Sequence, residues 1–243
     1  MDAGGFSKGY SNVSELQTEF LIKGFSLLNY DAVNLAIKDF ANGGEFLKTL
    51  QKKYGINFVS SNIQYTDSGE LFTQSALTLK LKPNSSVRPP FKHLNIVIFG
   101  VCDERPRLLH RNVAEPALES IDPIQTARNA LNDIKGKSDL TVMLFNGRFN
   151  TMQSVVQAVP GIDIVIMGGE YYRVNSASSP STVISSTPSL GKYFGTLTLE
   201  LDANKRILSH NSTRISLDET IADHEELTRL VEDFESARRQ MRR

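Results

Sequence analysis

A layered α/β fold is predicted by three features of this 243-residue sequence. Segments with strand-like apolar runs alternate with segments whose apolar residues recur at helical spacing. Residues 94–101, 140–145 and 162–167 are nearly continuous apolar runs, which suit strands covered on both faces. Hydrophobic residues make up 40% of the chain and charged residues 22%, as in ordinary globular proteins. The chain can therefore bury a sizeable core.

The first half of the chain is predicted to alternate between helices and short strands. Helical spacing of apolar residues, paired glycines before a helix, and turn-rich segments after strands set the boundaries. In chain order the predicted elements are a helix over 14–29 with Ser14 as its N-cap, a strand over 32–37, a helix that follows Gly43 and Gly44 and stops near Gly55, and strands over 56–63 and 78–81.

The second half repeats the alternation around the long apolar strand at 94–101. Asp122 and Pro123 are typical of an N-cap and first helical position, and they predict a helix that ends before Gly136. The further predictions are strands over 140–145 and 162–167 with a helix over 152–158 between them, an exposed loop over 175–189 in which 182–184 could be a strand, and a hairpin of 193–201 with 206–212.

The chain is predicted to end in a charged amphipathic helix that begins near Asp218. Its apolar stripe must pack on this domain or on another protein, because such a helix gains most of its stability from burying that face. The predicted organisation is one domain over 1–217 followed by a helix over 218–243. The stripe consists of Leu227, Leu230, Val231 and Phe234.

Charge and composition exclude several classes of function. Lysine plus arginine and aspartate plus glutamate number 27 each, so no net field favours nucleic acid. No apolar run approaches the ~18 residues of a membrane span. The single cysteine, Cys102, excludes an internal disulfide and a cysteine zinc cluster. Asparagine sequons begin at Asn12, Asn84 and Asn211, and they matter only in a chain secreted by a eukaryotic cell.

Local motifs for catalysis or metal binding are not evident. No two of the four histidines are two, three or four residues apart, so no single helix or strand presents a metal clamp. The sequence has neither a Gly-x-Ser-x-Gly motif nor a cysteine with a nearby histidine, the signatures of common covalent hydrolases. Gly4-Gly5 and Gly168-Gly169 lack the remaining residues of a phosphate loop, and we interpret both as tight turns.

Segments 1–6, 24–40, 58–63, 138–146 and 159–169 place short motifs at the ends of predicted strands. In order and spacing they resemble calcineurin-like metallophosphoesterases of the 5′-nucleotidase branch. The matched family motifs are Asp-Ala-Gly-Asp, Gly-Tyr-Asp-Ala-Val with Gly-Asn-His-Glu-Phe, Ser-His, and the strand before Gly-His-Ser-His. The resemblance implies a four-layer α-β-β-α sandwich whose first strand, which bears Asp-x-His, is missing from this sequence.

At the positions that the resemblance matches to metal ligands, this chain has other residues. A family two-metal site uses carboxylates and imidazoles to hold cations about 3.5–4 Å apart. Here a glycine replaces the bridging aspartate, and asparagine, glutamate and tyrosine replace histidines. The resemblance therefore implies a vestigial site with no catalytic residue, no metal and no cofactor. Its positions are Gly5, Ile37, Lys38, Asp39, Asn146, Glu170 and Tyr172.

Two interpretations of the replaced residues stay open. Lys38 and Glu170 could form a metal-free catalytic pair, or the lysine could simply compensate for a lost cation beside a carboxylate. Tyr171, Tyr172 and Ile37 could stack on a ligand, or they could fill the vacated cavity, which is the commoner outcome. We expect a closed, charge-compensated site with the side chains of Lys38 and Glu170 within about 8 Å of each other.

The sequence thus predicts a catalytically inactive phosphoesterase-like domain that acts as a binding or scaffold module in an assembly. The alternative is a metal-dependent phosphoester or nucleotide hydrolase whose site is non-standard or is completed by a partner. A protein partner or an oligomer is expected, because a missing first strand would leave backbone donors and acceptors unpaired at a sheet edge. An extracellular or periplasmic location is implied by the family resemblance alone.

Overall fold

The computed structural model describes residues 1–9, 13–82, 91–105, 115–169, 181–187 and 191–241. Within these residues, helices and strands alternate as the sequence predicts. A 3-10 helix, Ile37–Asn42, precedes the second α-helix. In chain order the elements are α1 (Ser14–Leu27), β1 (Val33–Asn34), α2 (Gly44–Tyr54), β2 (Phe58–Val59), β3 (Ile63–Tyr65), β4 (Ala76–Leu81), β5 (Leu94–Cys102), β6 (Leu118–Ser120), α3 (Pro123–Ile134), β7 (Leu140–Asn146), α4 (Phe149–Ala158), β8 (Ile164–Gly168), β9 (Val183–Ser186), β10 (Tyr193–Leu201), β11 (Ile207–Ser216) and α5 (Glu225–Gln240).

A five-stranded sheet forms the centre, in the order β4-β5-β7-β8-β9. Strand β4 is antiparallel to β5, and the remaining neighbours are parallel. Side chains alternate between its two faces, so Phe99 and Met143 pack with α3 and α4 while Ile98 and Val142 pack on the opposite side. Both faces are therefore buried, which is why β5, β7 and β8 are almost wholly apolar in sequence.

Four layers result, as the resemblance implies. Helices α3 and α4 cover one face of the central sheet. The other face meets short strand pairs, since Ala32 and Val59 near β1 and β2 and Leu197 of β10 share one apolar cluster with it. The outer side of β1 and β2 is covered by α1 and α2 through Ile22 and Leu47. The predicted mixed α/β fold class is confirmed.

Two predicted strands are shorter than expected. The strand predicted over 32–37 ends at Asn34, because Ala36 and Asp39 exchange hydrogen bonds and turn the chain into the 3-10 helix. The strand predicted over 56–63 is divided into β2 and β3. Between them, the buried Asn62 bonds to both backbone groups of Cys102, and this side-chain pairing replaces a regular strand ladder.

Two helix starts also differ from prediction. Val13, not Ser14, is the N-cap of α1, and Ser14 is buried where it accepts a hydrogen bond from Asn42 Nδ2 at 3.1 Å. Helix α5 begins at Glu225 rather than near Asp218, and residues 217–224 are exposed. The Asp122 cap of α3 is as predicted, since its carboxylate accepts the Gln125 N–H at 2.6 Å.

Helix α5 packs on α1 through part of the predicted stripe. Leu230 is buried, and Phe234 meets Phe20 edge to face at 5.5 Å between ring centroids. Val231 is 60% exposed and lies outside the contact, so the stripe is narrower than predicted. The division of the chain at residue 217 stays a prediction. In the described part of the chain, no helix combines the length and apolarity that a bilayer crossing needs.

Candidate functional site

The carboxyl ends of three parallel strands meet at one place on the central sheet. In the sheet register, Cys102 of β5 pairs with Asn146 of β7, which pairs with Gly168 of β8. The N-terminal segment reaches the same place, because the carbonyl of Gly4 accepts a hydrogen bond from Asn146 Nδ2. Ligands bind at such strand ends in layered α/β proteins. This edge is therefore the candidate site.

The carboxamide of Asn146 closes the space between these strand ends. Its Nδ2 donates to the carbonyl of Gly4 at 2.6 Å. A Cβ added at Gly5 would lie 2.9 Å from that nitrogen, and one added at Gly168 would lie 3.1 Å from it and 3.0 Å from the Cβ of Ala3. A Cβ at Gly5 would therefore require Asn146 to move, and one at Gly168 would require small shifts of both Ala3 and Asn146.

Asp39 lies beneath the same segment and holds it by backbone contacts. Its fully buried carboxylate accepts the N–H groups of Gly5 at 2.8 Å, Ala36 at 2.9 Å and Ser7 at 3.0 Å. Burial raises the pKa of Asp39 to about 7, against the lowering effect of these three donors, and the negative charge of Asp2 adds to the rise. Both carboxylate oxygens are thus already used within the chain.

Stability should depend on pH through Asp39. Its pKa is 3.8 in the unfolded chain and about 7 in the fold, so the stabilising effect of protonation is complete below pH 3.8 and is lost as pH rises through about 7. From the two pKa values, the loss is about 4 kcal/mol over that range. Urea unfolding of the native chain and of Asp39→Asn at several pH values measures how the free energy of unfolding changes with pH. We expect a smaller slope in the variant, which keeps the contribution of Asp2, a carboxyl whose pKa is also raised by burial. Equal slopes would contradict the assignment.

Two polar residues that sequence reasoning passed over are central to this edge. Asn34 is fully buried in β1, and its Nδ2 lies 3.1 Å from each of the carbonyls of Ala3, Val101 and Leu144. It therefore ties the N-terminal segment to β5 and β7. The signal that could have revealed it is an amide side chain inside an otherwise apolar run.

Asp103, directly after β5, is the second such residue. Its Oδ2 accepts both the backbone N–H and the Nε–H of Arg148 at 3.2 Å, at the start of α4. Its position after a buried strand was the available signal. This ion pair joins β5 to α4 and shapes the rim of the site. The arginine side chain is 76% exposed, so the pair adds little stability.

The predicted vestigial positions are only partly brought together. Gly5 and Asn146 are in contact, and Asp39 binds the Gly5 N–H from below. Ile37 is half-buried and packs against the apolar cluster of α1 and α2, while Lys38 is exposed. Glu170, Tyr171 and Tyr172 lie outside the described residues, and so does the predicted pairing of Glu170 with Lys38.

The Cys102 thiol and the side chains that could bind a metal ion offer little support for catalysis at this edge. Cys102 is fully buried, and burial raises the pKa of its thiol to about 12, so the thiol stays protonated at neutral pH. Within the described ranges, no group of three or more histidine, cysteine, aspartate or glutamate side chains is placed to hold a metal ion. The geometry suits close packing of backbone rather than coordination.

Comparison with solved structures identifies the architecture. The chain superposes on a 5′-nucleotidase precursor from Thermus thermophilus with a TM-score of 0.74 and 15% identity, over 97% of this chain and 48% of that one. It also matches the calcineurin-like phosphoesterase YfkN from Bacillus subtilis, with a TM-score of 0.75 and 16% identity over 100% and 84% of the two chains. The chain has the calcineurin-like phosphoesterase fold.

A third example of this fold is the sulfate thiohydrolase SoxB from Thermus thermophilus, with a TM-score of 0.78 and 15% identity over 98% of this chain and 42% of that chain. The chain thus spans about half the length of the nucleotidase and less than half of SoxB. No protein-family model matches the sequence, and no curated protein matches it. The likeness at these identities establishes the phosphoesterase fold.

At four positions that the resemblance matches to the metal site, the residues do not fit the two-cation centre that the phosphoesterase fold implies. Gly5 offers no side-chain ligand, and Ile37 offers none either. Asn146 turns its amide nitrogen, a donor, toward the Gly4 carbonyl. Asp39 is fully buried, and backbone N–H groups take three of the four lone-pair positions of its carboxylate. Divalent cations in such centres need carboxylate oxygens or imidazole nitrogens with free lone pairs.

Proposed function

We propose that this chain is a non-catalytic binding module built on the phosphoesterase fold. The observation that carries the proposal is the contact of Asn146 with Gly4 and Gly5 at the convergent strand ends. A hydrolase of this fold needs that space for metal ions and a phosphoryl group. At the convergent strand ends of this chain an amide and backbone approach closely, which supports a structural use of the fold.

The second support is electrostatic. Phosphoryl transfer requires positive charge held close to the phosphoryl oxygens, in a site that excludes water. Lys38, on the 3-10 helix, and Arg148, at the start of α4, are both exposed, and Arg148 is also engaged by Asp103. An exposed lysine is screened by solvent and stabilises little transition-state charge.

The competing function is a phosphoester hydrolase with a non-standard or partner-completed site. It has one specific support, the likeness to a 5′-nucleotidase and to a calcineurin-like phosphoesterase over nearly the whole chain. Fold likeness alone does not carry an activity across such low identities. This function would require Lys38 and Glu170 to act on substrate, or ligands supplied by another chain.

Metal analysis combined with a phosphatase assay tests the proposal. The purified chain is equilibrated with Mn²⁺ or Zn²⁺, desalted and assayed for bound metal by mass spectrometry, then for hydrolysis of p-nitrophenyl phosphate and a nucleoside monophosphate. We expect no retained metal and no turnover above that of a buffer blank.

The outcome that overturns the proposal is turnover that depends on the candidate residues. Lys38→Ala and Glu170→Gln would then abolish hydrolysis. Lys52→Ala, which changes another exposed lysine, on α2, is the matched control and would leave hydrolysis unchanged. Stoichiometric metal retained by the native chain but not by Asn146→Ala would also overturn it.

A further inference from the structure

A cavity of about 260 Å³ lies at the end of the fold opposite the candidate site. Its wall is formed by residues 26, 29–31 and 55–57. Asp31 and Asn57 come just before β1 and β2, so the cavity is at the amino ends of these two strands. The chain that leaves the carboxyl end of β1 leads to Asp39, beneath the candidate site. The two places are therefore separate.

The carboxyl ends of two helices meet at this cavity. Helix α1 ends at Leu27 and α2 ends at Tyr54. Ser26, in the last turn of α1, and Gly55, the C-cap of α2, both line the cavity. Ser26 Oγ also donates to the carbonyl of Tyr54 at 2.9 Å, which holds the two helix ends together. Each carboxyl end carries a partial negative charge, so the two charges add at one place.

Asp31 contributes a full negative charge to the same wall. Among the lining residues it is the one with a charged side chain. In the described part of the chain, no basic side chain forms an ion pair with its carboxylate. The amino group of Met1 is attracted by Asp31, but burial lowers the pKa of that group and so disfavours its charged form. The cavity is therefore electronegative.

The two helices supply little positive charge of their own to balance it. Helix α1 has no basic residue in its last turn. In the last turn of α2, Lys53 is held by Glu19, with Nζ 2.6 Å from Oε1, and the exposed Lys52 is not part of the cavity wall. Because a helix carboxyl end is stabilised by a nearby cation, this cavity should attract one from outside.

The wall of the cavity is already shaped before anything binds. Asn29 and Gly55 have left-handed φ values of 51° and 66°, and they turn the chain sharply at the ends of the two helices. Asn57 Nδ2 donates to the carbonyl of Asp31 at 3.1 Å, which fixes the backbone next to the carboxylate. A ligand would therefore find its acceptors in place, at little cost in ordering entropy.

The chemistry of the wall selects an organic cation. One carboxylate is too few for a divalent metal ion, which requires several oxygen ligands at short range. A guanidinium group has five donors in a planar fork, is weakly hydrated, and interacts favourably with aromatic rings such as that of Tyr30. We propose that this cavity binds an alkylguanidinium group, supplied by free arginine or by an arginine side chain of another chain. This inference goes beyond the proposed function.

Titration of the isotope-labelled chain, followed by nuclear magnetic resonance, tests the site. The probes are free arginine and N-acetyl-arginine methylamide, which imitates an arginine within a chain. We expect chemical-shift changes centred on residues 26–31 and 55–57, with a dissociation constant on the order of 1 mM for this small and open cavity. Tighter binding of the capped compound assigns the site to an arginine of another chain, and tighter binding of free arginine assigns it to the amino acid.

Two further probes test the chemical class. N-acetyl-citrulline methylamide has nearly the same shape without the charge, and it should bind at least about tenfold more weakly than the arginine compound. N-acetyl-lysine methylamide should also bind more weakly, because an ammonium group is more strongly hydrated. Equal binding of either compound overturns the guanidinium assignment. An absence of shifts at the lining residues throughout the millimolar range overturns the site itself.

Variants locate the bound cation. Asp31→Asn should raise the dissociation constant about fivefold, because it removes the full charge from the wall. Asn57→Asp adds a second carboxylate and should lower the constant. The control, Asp223→Asn, changes an exposed aspartate between β11 and α5 and should have no effect. Circular dichroism confirms that each variant is folded. Native affinity in Asp31→Asn, or an equal loss in Asp223→Asn, overturns the site. Because this assay uses neither metal nor phosphoester, its failure is independent of the test for catalysis.

Discussion

Replacing Asn34 by aspartate is expected to lower the free energy of unfolding by about 3–5 kcal/mol. The amide nitrogen of Asn34 faces three carbonyl oxygens, each at 3.1 Å, in a fully buried position. Aspartate has the same size but only oxygens, so it would either bury a charge against these carbonyls or take up a proton from water. Both alternatives cost free energy that the native amide does not.

Urea unfolding at neutral pH measures this loss. The matched control is Asn57→Asp, the same chemical change at an exposed asparagine whose Nδ2 donates to the carbonyl of Asp31 at 3.1 Å. We expect the control to change stability by no more than about 0.5–1 kcal/mol. If the two variants lose equal stability, Asn34 does not tie the strands together as described.

Replacing Gly5 by alanine should lower the free energy of unfolding by about 2–4 kcal/mol. Gly5 has a φ of 80°, in the left-handed region, and its added Cβ would lie 2.9 Å from Asn146 Nδ2. Aspartate, the residue that the family resemblance expects there, should be at least as unfavourable.

Gly9→Ala separates backbone strain from steric overlap. Gly9 has a nearly equal φ of 78°, but nothing lies within 4 Å of its added Cβ. We expect Gly9→Ala to lower the free energy of unfolding only by the contribution of backbone strain, about 1–2 kcal/mol. In an Asn146→Ala background, the cost of Gly5→Ala should fall to the same value because the obstructing nitrogen is gone. Equal costs of Gly5→Ala in both backgrounds would show that Asn146 does not close the site.

Elements specified by short-range signals were predictable from sequence. Asp122 and Pro123 indicate the start of α3, and Gly55 ends α2, because caps and helix ends depend on neighbours a few residues away. The same holds for the hairpin turn after residue 201. The apolar runs of β5, β7 and β8 also identified the central sheet, since burial on both faces leaves a strong composition signal.

The errors arose where a side chain from a distant segment decides the backbone path. Asp39 ends the strand that the apolar run 32–37 predicts: its exchange of hydrogen bonds with Ala36 is local, but its bonds to the N–H groups of Gly5 and Ser7 reach 34 and 32 residues away. Asn62 interrupts the strand predicted over 56–63 through bonds to Cys102, 40 residues away. Such contacts form only after the layers pack, and the local pattern carries no trace of them.

The candidate site likewise has features that the sequence predicts and features that only the tertiary structure decides. The sequence by itself determined the layered α/β class, the apolar central strands and, through family resemblance, the positions of Gly5 and Asn146. The tertiary structure alone decided that Asn146 closes on Gly4 and that Asn34 reaches carbonyls 31, 67 and 110 residues away. The physical reason is that local propensity acts over a few residues, whereas the satisfaction of buried polar groups is settled by which strands lie side by side.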